Sequence, residues 1–410
     1  MFSADTILII LLFIISFDFF LGEILEYLNL KHQKKPLPNE LEGIYEEEKY
    51  QKSIKYNEAT TRFSFLTSSI SFIATFLIIY FGWFGSIDLL IRTYFHNEIT
   101  QALAFFGLIY FASDILTIPF QLYGTFVIEE KFGFNKTTYK TFFVDKIKGY
   151  VLSAILGAAL LSILMFLILY LGKDFWIYFW IVISLFMLVM NLFYTSLILP
   201  LFNKLTPLED GELKTAIEDY SKKVDFPLTN IFVIDGSKRS AKSNAFFSGM
   251  GKKKKIVLYD TLIENHSTEE LVSVLAHEVG HYKKKHITWS MVLSVLQTGL
   301  TLFILSRMIF SSEVSYALGS DKTSFHLNIL AFGILYSPLS QIMGIFMSML
   351  SRKNEYEADD FAKTTYNGKA LISALKRLSQ DNLSNLMPHP WYVFLNYSHP
   401  PLKERIKALM

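Results

Sequence analysis

The residues with the clearest chemical content stand at His277-Glu278-Val279-Gly280-His281, the pattern H-E-x-x-H. On a helix, histidines four apart lie one turn apart on one face, so both imidazoles can reach a single cation. Glu278, beside the first histidine, is placed to take a proton from water held by that cation. Such sites lower the pKa of water from about 15.7 towards about 7. The preceding residues 271–276 are almost wholly apolar, which describes a packed helix. A buried His-Glu-His cluster with no cation would leave costly unpaired polar groups, which weighs against two surface histidines on a solvated helix.

A catalytic zinc site takes three protein ligands and keeps one position open. The chain has no cysteine, so the ligands must be His, Asp or Glu. His286 lies five residues beyond His281, about 140° off the ligand face on a continuous helix. A third histidine ten residues after the first would stand at 287, which is Ile287. The chain then makes two apolar crossings and returns to the same side at about residue 351, where it reads Ser351-Arg352-Lys353-Asn354-Glu355-Tyr356-Glu357-Ala358-Asp359. Glu355 and Asp359 share a helical face, and Ala358 permits a close approach to another helix. Glu355 is the expected third ligand. Asp359 is the expected acceptor behind a ligating imidazole, one step removed from the metal. From spacing alone the same segment reads equally well as a charged, amphipathic helix beside a membrane.

Elements must bring these segments together, and composition says where. Of 410 residues, 51% are hydrophobic and 16% aromatic, with 38 Phe. A soluble fold of this size needs more charge to cover its surface. The net charge of +2 gives no basis for nucleic-acid binding. Seven apolar stretches are long enough to cross a bilayer as helices, near 6–29, 63–84, 101–123, 150–172, 175–200, 287–309 and 327–350. The first lacks the basic start and small-residue cleavage site of a signal peptide. The predicted class is therefore a predominantly α, polytopic membrane protein with a small α+β metal-binding module.

Odd-numbered loops and the C-terminal tail are basic; even-numbered loops are not. By the positive-inside tendency, the N-terminus faces out, and the zinc site and C-terminus face the cytoplasm. Several spans hold polar residues: Asp18, Asp114, Asn191, Gln297 and Gln341. They bond between helices or face a wet interior. The expected organisation is transmembrane helices over 1–200, a soluble module over 201–286, two more spans over 287–350, and a helical segment over 351–410. Within the module, 231–234 and 256–259 read as two strands of a hairpin joined through Gly249-Met250-Gly251 and a lysine run. Ser267 with Glu270 forms a capping box that starts the H-E-x-x-H helix.

With these residues in place, the chain resembles the integral-membrane CAAX prenyl protease 1 family of zinc metallopeptidases. The matching segments run from Glu129 to Lys136, Ser243 to Phe247, Ile256 to Leu262, His277 to His281, Ser351 to Asp359 and Tyr397 to Arg405. The resemblance implies seven helices around a water-filled intramembrane chamber, and Glu355 as third ligand. It implies that Asn244 and His399 contact the substrate backbone or oxyanion, with Arg405 nearby. Amide and imidazole donors suit a developing oxyanion. Unaided, His399-Pro400-Pro401 reads as a plain turn and Arg405 as a surface residue of a terminal helix.

The expected activity is peptide-bond hydrolysis with one Zn2+ per chain and Glu278 and His399 as catalytic groups. The expected partners are a peptide or protein substrate, prenylated in eukaryotic family members, and the lipid bilayer, with no nucleic acid. The substrate would add to the edge of the 231–259 sheet as a further strand. A membrane quality-control protease without a prenyl requirement is the alternative. A receptor or transporter with structural zinc fits poorly, because structural sites are closed by four protein ligands. The Ile-, Lys- and Phe-rich composition points to a bacterial inner membrane, with the endoplasmic reticulum as the eukaryotic counterpart.

Overall fold

The structure, a computed structural model, describes residues 2–38, 41, 43–248 and 254–410. Long apolar helices dominate it. Helices α1 (Ala4–His32), α2 (Glu47–Tyr80), a short α3 (Trp83–Tyr94), α4 (Glu98–Tyr123), α5 (Tyr139–Leu171) and α6 (Phe175–Phe193) make the N-terminal half. Six helical runs among the described residues are long and apolar enough to cross a membrane. One of them, Tyr139–Phe202, bends at Gly172–Asp174, where Gly172 takes φ 56. It holds both α5 and α6, which pack on each other through Met165, Ile168, Phe175 and Phe179. The seven expected apolar helices are therefore all present. At most 11% of each run's apolar window is buried within the protein. Such surfaces need lipid around them, and a helix satisfies its own backbone there.

The polar residues of the spans mostly bond between helices. Asp18 accepts from Ser337 at 2.8 Å and from Gln341 at 2.9 Å. Asp114 pairs with Lys146 at 2.8 Å and accepts from Tyr150. Asn191 instead lines a cavity beside His281.

After the four-residue helix α7 (Leu199–Phe202) the chain leaves the bundle. A small module follows, with β1 (Leu205–Pro207), α8 (Glu212–Lys223), β2 (Leu228–Ile234), β3 (Ala245–Ser248), β4 (Lys254–Tyr259), α9 (Asp260–Asn265) and α10 (Thr268–Lys283). The described strands form a sheet of order β1-β2-β4-β3. Here the expected pairing is corrected. β2 and β4 run parallel, with Ile231 opposite Ile256 and Ile234 opposite Tyr259. The hairpin is β3–β4, with Ala245 opposite Leu258. Two parallel strands need a crossover, and the long segment between them supplies it. The two apolar runs masked the short strand between them. The junction 249–253 lies outside the described residues.

The capping box is formed as expected: Ser267 N–H donates to Glu270 Oε2 at 2.9 Å, and Glu270 N–H to Ser267 Oγ at 3.3 Å. α10 then buries Leu271, Val272, Leu275, Ala276 and Val279 against the sheet and its flanking helices.

Two crossings follow. α11 (His286–Met308) leads to α12 (Ser312–Ala317), and α13 (Phe325–Ala362) returns as a 38-residue helix. The turn between them is fixed by a buried cluster. Asp88 of α3 accepts from Arg92 at 2.9 Å and from Ser320 at 3.0 Å, and lies 2.8 Å from His326 Nε2. Beyond α13 come α14 (Gly368–Asp381), α15 (Pro390–Asn396) and α16 (Leu402–Leu409), which close over the module.

Candidate metal centre and active site

The site is where α10 crosses the last turns of α13. Gly280 and Ala358 allow the crossing: a Cβ on Gly280 would stand 2.9 Å from the Ala358 Cα. That closeness carries Glu355 against both histidines. The Nε2 atoms of His277 and His281 are 3.2 Å apart. Glu355 Oε2 is 3.4 Å from the first and Oε1 3.2 Å from the second. A tetrahedral cation with bonds of about 2.0–2.1 Å separates its ligand atoms by about 3.3 Å. The three groups thus fit one small cation. Glu355 Oε2 is also buried with no hydrogen bond among the described residues; its cationic neighbours, His277 Nε2 at 3.4 Å and Arg405 Nη1 at 3.5 Å, stand beyond close contact, which leaves this oxygen open to a metal ion. The imidazole and carboxylate donor set suits zinc, with a fourth position left to other molecules.

Behind the ligands a charged set fixes their orientation. Asp359 Oδ1 stands 2.8 Å from His277 Nδ1. Arg405 from α16 grips the same carboxylate as a fork, Nε at 2.8 Å and Nη2 at 2.6 Å. Arg405 is therefore buried, in contrast to the surface position its helix pattern gave. Its Nη1 also lies 3.5 Å from Glu355 Oε2. Burial opposes a charge on His277, but Asp359 and Glu355 outweigh it and raise the imidazole pKa to about 9. Burial raises the pKa of Glu278 above the ordinary glutamate range. A carboxylate so shifted is a better proton acceptor near neutrality.

A cavity of about 320 Å³ opens beside this cluster. Glu278, Asn244, His399 and Arg405 line it together with His277, His281 and Glu355. Every residue expected at the site except Asp359 thus reaches this one space, and Asp359 sits behind it. His399 Nε2 is 3.3 Å from Glu355 Oε1 and its ring is largely exposed. Asn244 immediately precedes the edge strand β3; its Oδ1 accepts the Ala245 N–H at 2.8 Å, leaving its NH2 group for other partners. Leu371, Ala374, Leu375 and Leu378 of α14, with Val274 and Leu262, give the cavity an apolar wall. Sequence reasoning missed that wall, because an amphipathic helix beyond the last motif carries no mark of what it will face. It also missed His286, which lies against His281 because the helix ends before it.

Comparison with known proteins agrees with this geometry. Residues 26–204 match the model of the CAAX prenyl protease N-terminal region, five membrane helices, and residues 207–410 match peptidase family M48. The CAAX prenyl protease 1 homolog of Arabidopsis thaliana is 38% identical, covering 91% of this chain and 90% of its own. CAAX prenyl protease 1 of Saccharomyces cerevisiae is 35% identical, with 94% and 90% covered. The crystal structure of S. mikatae Ste24p superposes with a TM-score of 0.93 at 34% identity, over 98% of this chain and 99% of that one. An H-E-x-x-H helix beside a bundle of apolar helices, a returning carboxylate and relatives matched over nine-tenths of their length leave one conclusion: the chain belongs to the CAAX prenyl protease 1 family of membrane metalloproteases, within peptidase family M48.

Proposed function

We propose that the chain uses zinc, held by His277, His281 and Glu355, to cleave peptide bonds near the C-terminus of membrane-associated proteins, prenylated ones among them. The observation that carries this is the convergence of two Nε2 atoms and one carboxylate at 3.2–3.4 Å beside a cavity lined by Glu278. Relatives matched over nine-tenths of their length bear the name CAAX prenyl protease 1, which supports the substrate class.

Zinc, when bound, supplies Lewis-acid polarisation of a carbonyl and lowers the pKa of water. The chain's own residues do the rest. Glu278 accepts a proton from the attacking water and returns it to the leaving amine. His399 Nε2 and the Asn244 amide donate to the oxyanion as charge builds there. The edge strand β3 offers unpaired backbone groups on which an extended peptide can lie. Asp359 accepts the His277 Nδ1–H and so keeps Nε2 free for the metal. Arg405, committed to Asp359, serves this carboxylate rather than the substrate directly. The basic loops support an orientation with the module and the C-terminus on the cytoplasmic side.

The test is cleavage of matched peptides, farnesylated and unmodified, by the purified chain in lipid. Cleavage abolished by a chelator and restored by zinc is the expected result. Preference for the farnesylated peptide identifies a prenyl-protein processor. Equal rates on both would favour the quality-control reading, and chelator-resistant cleavage would overturn the zinc assignment.

A further inference from the structure

α10 ends at Lys283, and the chain turns before α11 begins at His286. Lys285, in that turn, takes φ 61. Residues with a Cβ seldom adopt this left-handed region. Where they do, the surroundings enforce it, and such positions concentrate at functional sites. The product of this turn is the placement of His286. On a continuous helix it would point well away from the ligand face. Instead its ring folds back until its Nδ1 is 3.0 Å from Nδ1 of His281. Its Nε2 lies 3.1 Å from Glu357 Oε2, on α13. His286 is buried, at the edge of a cavity it shares with Asn191, Ser290 and Asn354.

The proton positions follow from the geometry. When His281 Nε2 faces the metal, its ring proton sits on Nδ1. That N–H needs an acceptor, and Nδ1 of His286 is in place as one. His286 then carries its own proton on Nε2, where the Glu357 carboxylate accepts it. Each atom in the series has one role, and no alternative tautomer keeps both bonds. His277 is oriented by a carboxylate directly; His281 has a carboxylate one imidazole further back.

We propose that His286 and Glu357 are positioning residues that lock the metal-ligating imidazole of His281 in the tautomer and orientation it needs to bind the metal. This rests on the reading of His277, His281 and Glu355 as ligands. Partners at this remove typically change metal affinity by about 10- to 100-fold when removed.

The test is zinc affinity of the full-length protein in lipid nanodiscs, by competition with a chromophoric chelator. His277→Ala is the reference that should abolish tight binding; if it binds as the wild type does, the ligand assignment itself fails. With that reference sound, His286→Phe should weaken zinc by about 10- to 100-fold. His286→Gln, which keeps an acceptor and a donor, should recover most of the loss. Glu357→Ala should weaken zinc in the same direction, and Glu357→Gln less. Added to His286→Phe, Glu357→Ala should cost nothing more, because Glu357 acts through His286. The visible spectrum of bound Co2+ should shift in His286→Phe and return in His286→Gln. Affinity within twofold of wild type in His286→Phe, or additive losses in the double variant, would overturn the proposal. Should His286→Phe not fold, the Glu357 pair decides: its side chain is 39% exposed, and an unchanged affinity in Glu357→Ala would be equally fatal.

Discussion

Gly280 and Ala358 meet backbone to backbone: a methyl group on Gly280 would lie 2.9 Å from the Ala358 Cα and 3.1 Å from its carbonyl oxygen. Glycine in a helix interior ordinarily costs stability relative to alanine. Here that order reverses. Gly280→Ala should destabilise by about 1–3 kcal/mol through overpacking, and weaken zinc binding by pushing Glu355 away from the imidazoles. Thermal unfolding and a zinc titration measure both effects; a variant as stable as the wild type, with unchanged affinity, would contradict the crossing.

Glu278→Gln preserves shape and removes the proton acceptor. Cleavage should fall by about 10²–10⁴-fold, the usual contribution of a positioned acid–base group. Zinc content by elemental analysis should stay at one per chain. Loss of the metal instead would make Glu278 a ligand.

Proton and metal compete for His277. In the metal-free protein its pKa is raised to about 9, so a proton must leave before Nε2 can ligate. Apparent zinc affinity should therefore rise as pH increases and level off near pH 9. Below that value this group alone makes affinity drop about tenfold per pH unit. The same protonated pair stabilises the metal-free fold below the ordinary histidine pKa, and that stability is lost as pH rises through about 9. Asp359→Asn should move the break in the affinity profile down, towards the ordinary histidine value of about 6.5. An unmoved break would remove Asp359 from behind His277.

Arg405 is buried against Asp359 with two hydrogen bonds. Arg405→Leu leaves that buried carboxylate with His277 as its remaining partner and should cost about 3–5 kcal/mol in unfolding free energy. Arg405→Lys keeps the charge but loses the fork, and should recover only part of it. Chemical denaturation in detergent reads the difference, and equal stability of all three forms would place Arg405 outside the network.

Much of this site was legible in residue order. Histidines at 277 and 281, the capping box before them and the lack of cysteine leave little choice of chemistry. Glu355 and Asp359 were reachable because two crossings must return the chain to its starting side. What stayed hidden depends on chain direction in space. The parallel pairing of Ile231 with Ile256 looks the same in sequence as a hairpin, since apolar runs carry no polarity. His286 was misplaced because rotation per residue was continued past a helix end that only the Lys285 turn reveals. Arg405 looked exposed because an amphipathic helix of eight residues does not say which charge its neighbours will enclose.

One continuous helix links the two ends of the molecule. On α13, His326 is anchored in the Asp88 cluster at the far side, and Glu355 meets the histidines about 44 Å along the axis at 1.5 Å per residue. The hydrocarbon layer is about 30 Å thick, and about 40–45 Å with its headgroups. On the proposed function the helix works as a depth gauge: it would hold the cutting point near headgroup level, where a prenyl anchor stays in lipid while the peptide attached to it reaches water.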